Sequence, residues 1–150
     1  MHLAVLEGHG VVYVEILPTP GGPDFPSRVG GRLPATATGV GKAILAFSPP
    51  AVVRAVLERG LPRISERSVT APGVLARELG RVRGEGVAFD REESGAGIVC
   101  AAAPVLAPDG TALGALSVSG WSSRMRMQQV APAVHTAALA LSRALRTARA

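Results

Sequence analysis

One cysteine, Cys100, stands in 150 residues, which excludes an internal disulfide and a cysteine-rich zinc site. Aromatic residues make up only 3% of the chain, so platforms for stacking nucleic-acid bases are nearly absent. Lysine occurs once, at Lys42, and the arginines that supply the remaining positive charge are scattered from Arg28 to Arg149 with no block of five or more. The net charge of +5 therefore reads as a solvated surface rather than a phosphate footprint, and direct nucleic-acid binding by this segment is not expected. No uncharged stretch reaches the ~18 residues of a membrane helix. The opening "MHLAVLEGHGVVYVEI" has no basic n-region and is interrupted by Glu7 and Glu15, unlike a signal peptide. These absences together predict a soluble cytoplasmic domain with no membrane partner.

What is present is apolar and β- and α-patterned. Hydrophobic residues are 47% of the chain, enough for a packed core, and the length suits one domain. "HLAVLE" and "VVYVEIL" read as a hairpin around "GHG", followed by the loop "PTPGGPDFP". At "LPATATGVGKAILAF" the period changes to helical, with Thr36 or Thr38 as cap and Val40, Ile44 and Phe47 on one face. A second helix is expected in "SPPAVVRAVLERG", capped by Ser48 and ended by Gly60. A third spans 72–84, with Leu75, Leu79 and Val82 in a stripe and Gly84 and Gly86 stopping it. "VAFD", "IVCAAAPVL" and "ALGALSVSG" read as strands, the last two joined by the turn "APDG". From Met127 the tail is an amphipathic helix with Val130, Val134, Ala137, Leu141 and Leu145 on one side and Pro132 near its start. Two strands, three helices, three strands and a helix predict an α+β domain, an antiparallel sheet covered by helices.

The chemistry-bearing residues are few. "GVGK" at 39–42 resembles a phosphate loop but lacks its first glycine and its Ser/Thr. Gly39 and Gly41 bare the backbone at a helix N-terminus, which favours an anion, or they only permit close packing; both readings stay open. Lys42 suits an acid partner or a neighbouring carbonyl, and a Schiff-base role would need a desolvated pocket. The stretch "DREESGAGIVCAAAPV" sets Asp90, Glu92 and Glu93 before Cys100. None of His2, His9 and His135 is tied to Cys100 by spacing, and the cysteine sits mid-strand among alanines, so a buried small hydrophobe is expected rather than a nucleophile. The three acids lack the His or Cys partners of a metal set, and no cofactor or metal is expected. Ser117 and Ser119 share one strand face, either open to solvent or lining a polar cavity.

Read together, "SRVGGRLPATATGVGKAILAF", "GVAFDREESGAGIVCAAAPV" and "ALSVSG", in this order and spacing, carry a resemblance over nearly the whole chain. The sequence resembles the effector-binding domain of the isocitrate lyase regulator (IclR) family of bacterial transcription factors. The resemblance implies a GAF/PAS-like curved antiparallel sheet flanked by helices, and a cavity for a small organic acid such as a keto acid or an aromatic acid. It implies ligand contacts at Gly39, Val40, Asp90, Cys100, Ser117 and Ser119. It also implies a homo-oligomer, dimer or tetramer, whose effector changes how a linked winged helix-turn-helix domain grips DNA. That domain is absent from residues 1–150, so the sequence is expected to be a single sensor domain with DNA contacted only through a longer parent. The motif also departs from its usual form at Ser68 and Ala71, which should weaken the third helix's cap by ~1 kcal/mol.

The expected function is thus ligand sensing, not catalysis. The alternatives are a small cysteine-dependent enzyme or an oligomerisation module that binds no ligand. The hairpin register supplies an internal test. A four-residue loop, Ala107–Gly110, pairs Leu106 with Thr111 and puts Cys100 opposite Ser117 on a shared face. A three-residue loop puts Cys100 opposite Val118, on the other face, unless a bulge intervenes.

Overall fold

The computed structural model describes residues 1–149. Six strands form one antiparallel sheet: β1 (His2–Glu7), β2 (Gly10–Ile16), β3 (Arg32–Pro34), β4 (Ala88–Arg91), β5 (Ile98–Leu106) and β6 (Ala112–Trp121), in the order β3-β2-β1-β6-β5-β4. Helices α1 (Gly39–Ala46), α2 (Pro50–Glu58) and α3 (Pro72–Glu85) follow β3, and α4 (Met127–Ala148) ends the chain. The α+β architecture is the one read from the sequence. β3 is an addition: three residues with a proline at the end carry little strand signal, and only pairing with β2 at the sheet edge makes them a strand.

Two apolar clusters sandwich the sheet. On the inner face Val40, Ile44 and Leu45 of α1 and Leu75, Leu79 and Val82 of α3 pack against Ala4, Tyr13, Ala88, Cys100, Ala102 and Ala115. On the outer face Ala131, Val134 and Ala138 of α4 cover Phe89, Ala101, Ala103 and Val105, with Leu116 and Val118 alongside. β5 is therefore covered on both sides, which is why its sequence is an unbroken apolar run rather than an alternation.

Helix ends mostly follow their chemistry. Thr38, not Thr36, caps α1, its hydroxyl accepting from Gly41 N–H at 3.1 Å. Ser48 does not cap α2; Pro49 holds that position, and the Ser48 hydroxyl turns back to donate to the Ile44 carbonyl at 2.8 Å. α3 runs through Gly84 and stops at Gly86, whose φ of 77° is left-handed and whose N–H reaches the Val82 carbonyl at 2.7 Å. Its start at Ala71 has no side-chain cap, as the motif's departure at this position leads one to expect. On α4 Ala137 points to solvent, and the buried stripe passes through Ala138 and Ser142 instead. Ser142 bridges, accepting from Leu106 N–H at 2.8 Å and donating to the Ala138 carbonyl at 2.7 Å. Pro132 lies in the helix's second turn rather than its first, on an exposed side.

The β5–β6 register differs from both simple cases. The turn is the shorter one: Ala107 N–H donates to the Thr111 carbonyl at 2.8 Å and Leu106 pairs with Ala112. A bulge at Leu113 then moves the register by one, so Val105 pairs with Gly114 and Cys100 with Ser119. Cys100 is thus opposite Ser119 rather than Ser117, but the bulge returns both serines to its face. Gly114 fits the crowding there: a Cβ at this position would lie 2.6 Å from the Ala4 carbonyl oxygen of β1.

Candidate functional site

Strand pairing lays out the floor of the site in two rows. Asp90, Cys100 and Ser119 are neighbours across β4, β5 and β6. Beside them run Ala88, Ala102, Ser117 and His2, across β4, β5, β6 and β1. The N-terminus of α1 is the roof. A Cβ on Gly39 would sit 2.9 Å from Cys100 Sγ, 3.5 Å from Ala102 Cβ and 3.6 Å from Asp90 Cβ, so the helix approaches this closely only with glycine there. Gly41 has a local reason of its own, since a Cβ would be 1.9 Å from the Ala35 carbonyl oxygen. Close packing therefore accounts for both glycines, and at Gly39 the same closeness brings helix amides to the floor.

Tyr13, Phe25, Thr38, Gly39, Val40, Asp90, Ser94, Cys100, Ser117 and Ser119 line one cavity. All six residues singled out by the resemblance are among them. The open space is only about 10 Å³, room for about one water. Two α1 amides are engaged by Thr38, Gly41 N–H by its hydroxyl and Lys42 N–H by its carbonyl, which leaves those of Gly39 and Val40 as the first-turn donors that Thr38 does not take.

The acids divide their tasks. Asp90 folds the 90–94 turn: one carboxylate oxygen accepts from the N–H groups of Glu93 (2.7 Å) and Ser94 (3.3 Å), and the other from the Ser94 hydroxyl. Burial raises its pKa to about 6, against the lowering pull of those hydrogen bonds. Glu93 is buried and grips Lys42, whose Nζ lies 2.7 and 3.0 Å from its two oxygens, 2.9 Å from Glu78 Oε2 and 2.6 Å from the Phe89 carbonyl. Lys42 is indeed desolvated, but every direction its ammonium points is taken by an acceptor, so it serves as a clamp between α1, α3 and the 90–94 turn. Glu92 holds a left-handed φ of 62° while its Oε1 accepts from Gly97 N–H at 2.7 Å. Ser65 and Ser68 fasten this turn from outside, donating to the Glu92 carbonyl at 2.6 Å and the Glu93 carbonyl at 2.8 Å.

Cys100 is 5% exposed, and burial, with the Asp90 charge adding to it, pushes its thiol up to about 12. That setting suits a wall residue. Ser117 is buried and Ser119 half-buried; both line the cavity, and Ser119 also borders an open recess on its outer side. Their hydroxyls lie 3.4 and 3.5 Å from His2 Nδ1. Burial and the neighbouring terminal ammonium lower His2 to about 4, so its ring is neutral at pH 7.

His2, Tyr13, Phe25 and Ser94 belong to the site and were not singled out from the sequence. For His2 and Tyr13 a signal existed: in "HLAVLE" and "VVYVEI" the inward positions include His2, Ala4, Val11 and Tyr13. Phe25 lies in an irregular loop, where no periodicity points inward. Among the described residues no group of three or more His, Cys, Asp or Glu is placed to hold a metal. Among the described residues no helix is long and apolar enough to cross a membrane.

Comparison with known proteins gives this geometry a context. Residues 1–143 match the family described as bacterial transcriptional regulator IclR, C-terminal. The chain is 34% identical over 148 residues to the HTH-type transcriptional regulator XynR of Escherichia coli, covering 96% of this chain and 59% of that protein. It is 32% identical over 146 residues to KdgR of the same organism, covering 95% and 56%. The Thermotoga maritima IclR crystal structure superposes with a TM-score of 0.90 at 29% identity, over 96% of this chain and 60% of that one. An IclR homologue from Microbacterium hydrocarbonoxydans, crystallised with 4-hydroxybenzoate, superposes with a TM-score of 0.89 at 29% identity, over 97% and 60%. The chain thus spans less than two thirds of the length of these relatives, and the curated ones are named as transcriptional regulators, not enzymes. From its motifs, its six-stranded curved sheet and these matches, the chain belongs to the IclR family of bacterial transcriptional regulators, through the C-terminal, effector-binding part of that family.

Proposed function

We propose that residues 1–149 sense a small organic acid in the cavity between the N-terminus of α1 and the inner face of β4, β5 and β6. The observation that carries this reading is the convergence of Gly39, Val40, Asp90, Cys100, Ser117 and Ser119, drawn from four elements, on one cavity. In this reading the carboxylate accepts from the amides of Gly39 and Val40, helped by the helix dipole. Ser117 and Ser119 hydrogen-bond the ligand's polar atoms, while Cys100, Ala102 and the closeness of Gly39 set its thickness. Asp90, whose oxygens are committed to its own turn, shapes the wall and meets the ligand best when protonated. The relative bound to 4-hydroxybenzoate and a double mutant of the PobR inducer-binding domain from Acinetobacter bound to 3-hydroxybenzoic acid support the ligand class.

Occupancy then biases one of two subunit arrangements in a dimer or tetramer, and so the grip of a linked DNA-binding domain in the cytoplasm. A ligand shifts such an equilibrium only by its difference in affinity for the two states. Binding should be measured by calorimetry with a panel of small keto and aromatic acids, on wild type and on Ser117→Ala. The expected result is micromolar binding of one class, weakened about tenfold by the loss of one hydroxyl partner. No binding by any acid, or binding indifferent to Ser117, would overturn the assignment of this cavity.

A further inference from the structure

Phe25 lines the inner cavity and also a recess of about 300 Å³ outside it, formed with Met1, His2, Ile16, Leu17, Asp24 and Ser119 among others. Its ring is therefore the partition between them, with Ser119 the other residue common to both. The ring stacks on His2 at a centroid distance of 3.9 Å and an interplanar angle of 28°. It meets Tyr13 edge-on, at 4.9 Å and 77°. This is a slot shaped for a flat ring: one aromatic face below, one aromatic edge beside it, two serine hydroxyls next to the His2 imidazole.

The segment that carries Phe25 is lightly held. Leu17 N–H donates to the Met1 carbonyl at one end and Gly30 N–H to the Tyr13 carbonyl at the other. Between these, the bonds at Gly22–Thr19 stay inside the segment. Apart from the Met1 amino group donating to the Leu17 carbonyl at 2.8 Å and the local turn in which Gly31 N–H donates to the Arg28 carbonyl at 2.7 Å, its one polar tie to the body among the described residues is Trp121 Nε1 to the Gly21 carbonyl, at 3.1 Å. Much of the segment faces solvent, Leu17 at 53% and Val29 at 56% exposure. Such a stretch opens at low cost compared with the packed sheet beneath it.

We infer that residues 17–30 form a lid, that Phe25 occupies the ring slot between His2 and Tyr13, and that the effector is a ring-bearing carboxylate that takes Phe25's place there. This rests on the reading of the inner cavity as a carboxylate site. The carboxylate reaches the α1 amides, and the ring replaces Phe25 on His2. Withdrawal of Phe25 joins the inner cavity to the recess, supplying the volume that the inner space of about 10 Å³ lacks. A short aliphatic acid has no ring to exchange for Phe25 and so cannot compensate its loss from the slot. His2 and Phe25 are therefore the residues that set ligand class.

The chain has a single tryptophan, and that residue holds the lid. Benzoate and pyruvate titrated separately into wild type, Phe25→Ala and Phe25→Leu, each shown folded by its cooperative melt, give the test, with Trp121 emission and calorimetry read in parallel. Benzoate is expected to change Trp121 emission in wild type and to bind Phe25→Ala about tenfold more tightly, because the competing ring is gone. Phe25→Leu, apolar but unable to stack, should fall between. Pyruvate should bind more weakly than benzoate and leave the emission unchanged. Benzoate binding that is unaltered or weakened in both Phe25 variants, or that leaves Trp121 silent, overturns the lid while the carboxylate site stands. Pyruvate binding more tightly than benzoate overturns the ring-slot assignment. Binding of neither acid overturns the site and the lid together.

Discussion

Replacing Lys42 with methionine keeps the length and the apolar stem of the side chain and removes only its charge and its donors. The Lys42 side chain is 1% exposed, and the carboxylate of Glu93, its closest ionic partner, is on a side chain 5% exposed. Without the ammonium, Glu93 keeps one donor at 2.8 Å, the backbone N–H of Arg91, and is otherwise a stranded buried charge. Breaking a buried pair from one side costs about 3–5 kcal/mol. For a domain of this size each kcal/mol moves the midpoint by about 2–4 °C, so the melt should fall by about 6–20 °C. Glu78 is on a side chain 24% exposed, so Glu78→Gln should cost under about 1 kcal/mol. The double variant Lys42→Met/Glu93→Gln removes the stranded charge and should recover more than half of the single-variant loss. Urea unfolding of wild type and these three variants, compared at constant m-value, is the assay. A Lys42→Met protein within ~1 kcal/mol of wild type, or a double variant no better than the single, would refute the view that this cluster is a dry clamp. Because Lys42 follows Val40 and Gly41 on α1, loss of the clamp should also weaken acid binding at the helix N-terminus.

Opposed titrations should govern the pH dependence. Asp90's pKa is raised to about 6 in the fold, so the folded state holds the proton more tightly and stability from this group falls as pH rises from about 4 to about 6, by about 3 kcal/mol. His2 is lowered to about 4, so its contribution rises over about pH 4 to 6.5, by about 2 kcal/mol after allowance for solvent screening. Asp90→Asn removes the first and keeps the second: its stability relative to wild type should improve by about 3 kcal/mol between pH 3.5 and 7, and a constant gap in urea midpoints would contradict the shift. Gly39→Ala forces a Cβ to within 2.9 Å of Cys100 Sγ and should cost about 1–3 kcal/mol, most of it restored by adding Cys100→Ala. Failure of that rescue in chemical denaturation would mean that the roof and floor do not touch where described.

Much of this molecule is written locally. The helical periods of 39–46 and 72–85, the apolar run of β5 and the turn residues around Asp109 follow from side-chain size, φ preference and hydrogen-bonding chemistry within a few positions of each other. Ser117 and Ser119 were legible as one face for the same reason, since strand side chains alternate with period two. Where the sequence expectation slipped, the deciding contact was distant. Ser48 had two acceptable partners, a helix start ahead or a helix end behind, and Pro49 took the first position. β3 exists only because β2 offers it an edge.

The candidate site divides along the same line. The resemblance to the IclR family collected Gly39, Val40, Asp90, Cys100, Ser117 and Ser119, and all six line one cavity. It could not say that Cys100 stands opposite Ser119, since that depends on one extra residue at Leu113, at a place where β1 and β6 crowd together. Nor could it reveal that Glu93 closes on Lys42 or that Phe25 fills the space between His2 and Tyr13. Sequence by itself determined most of the elements and the alternating faces of their strands, because these depend on local geometry and residue type. Only the tertiary structure decided register, which acid meets the lysine and what stands in the aromatic slot, because burial and close approach between residues far apart in the chain choose among partners that are locally equivalent.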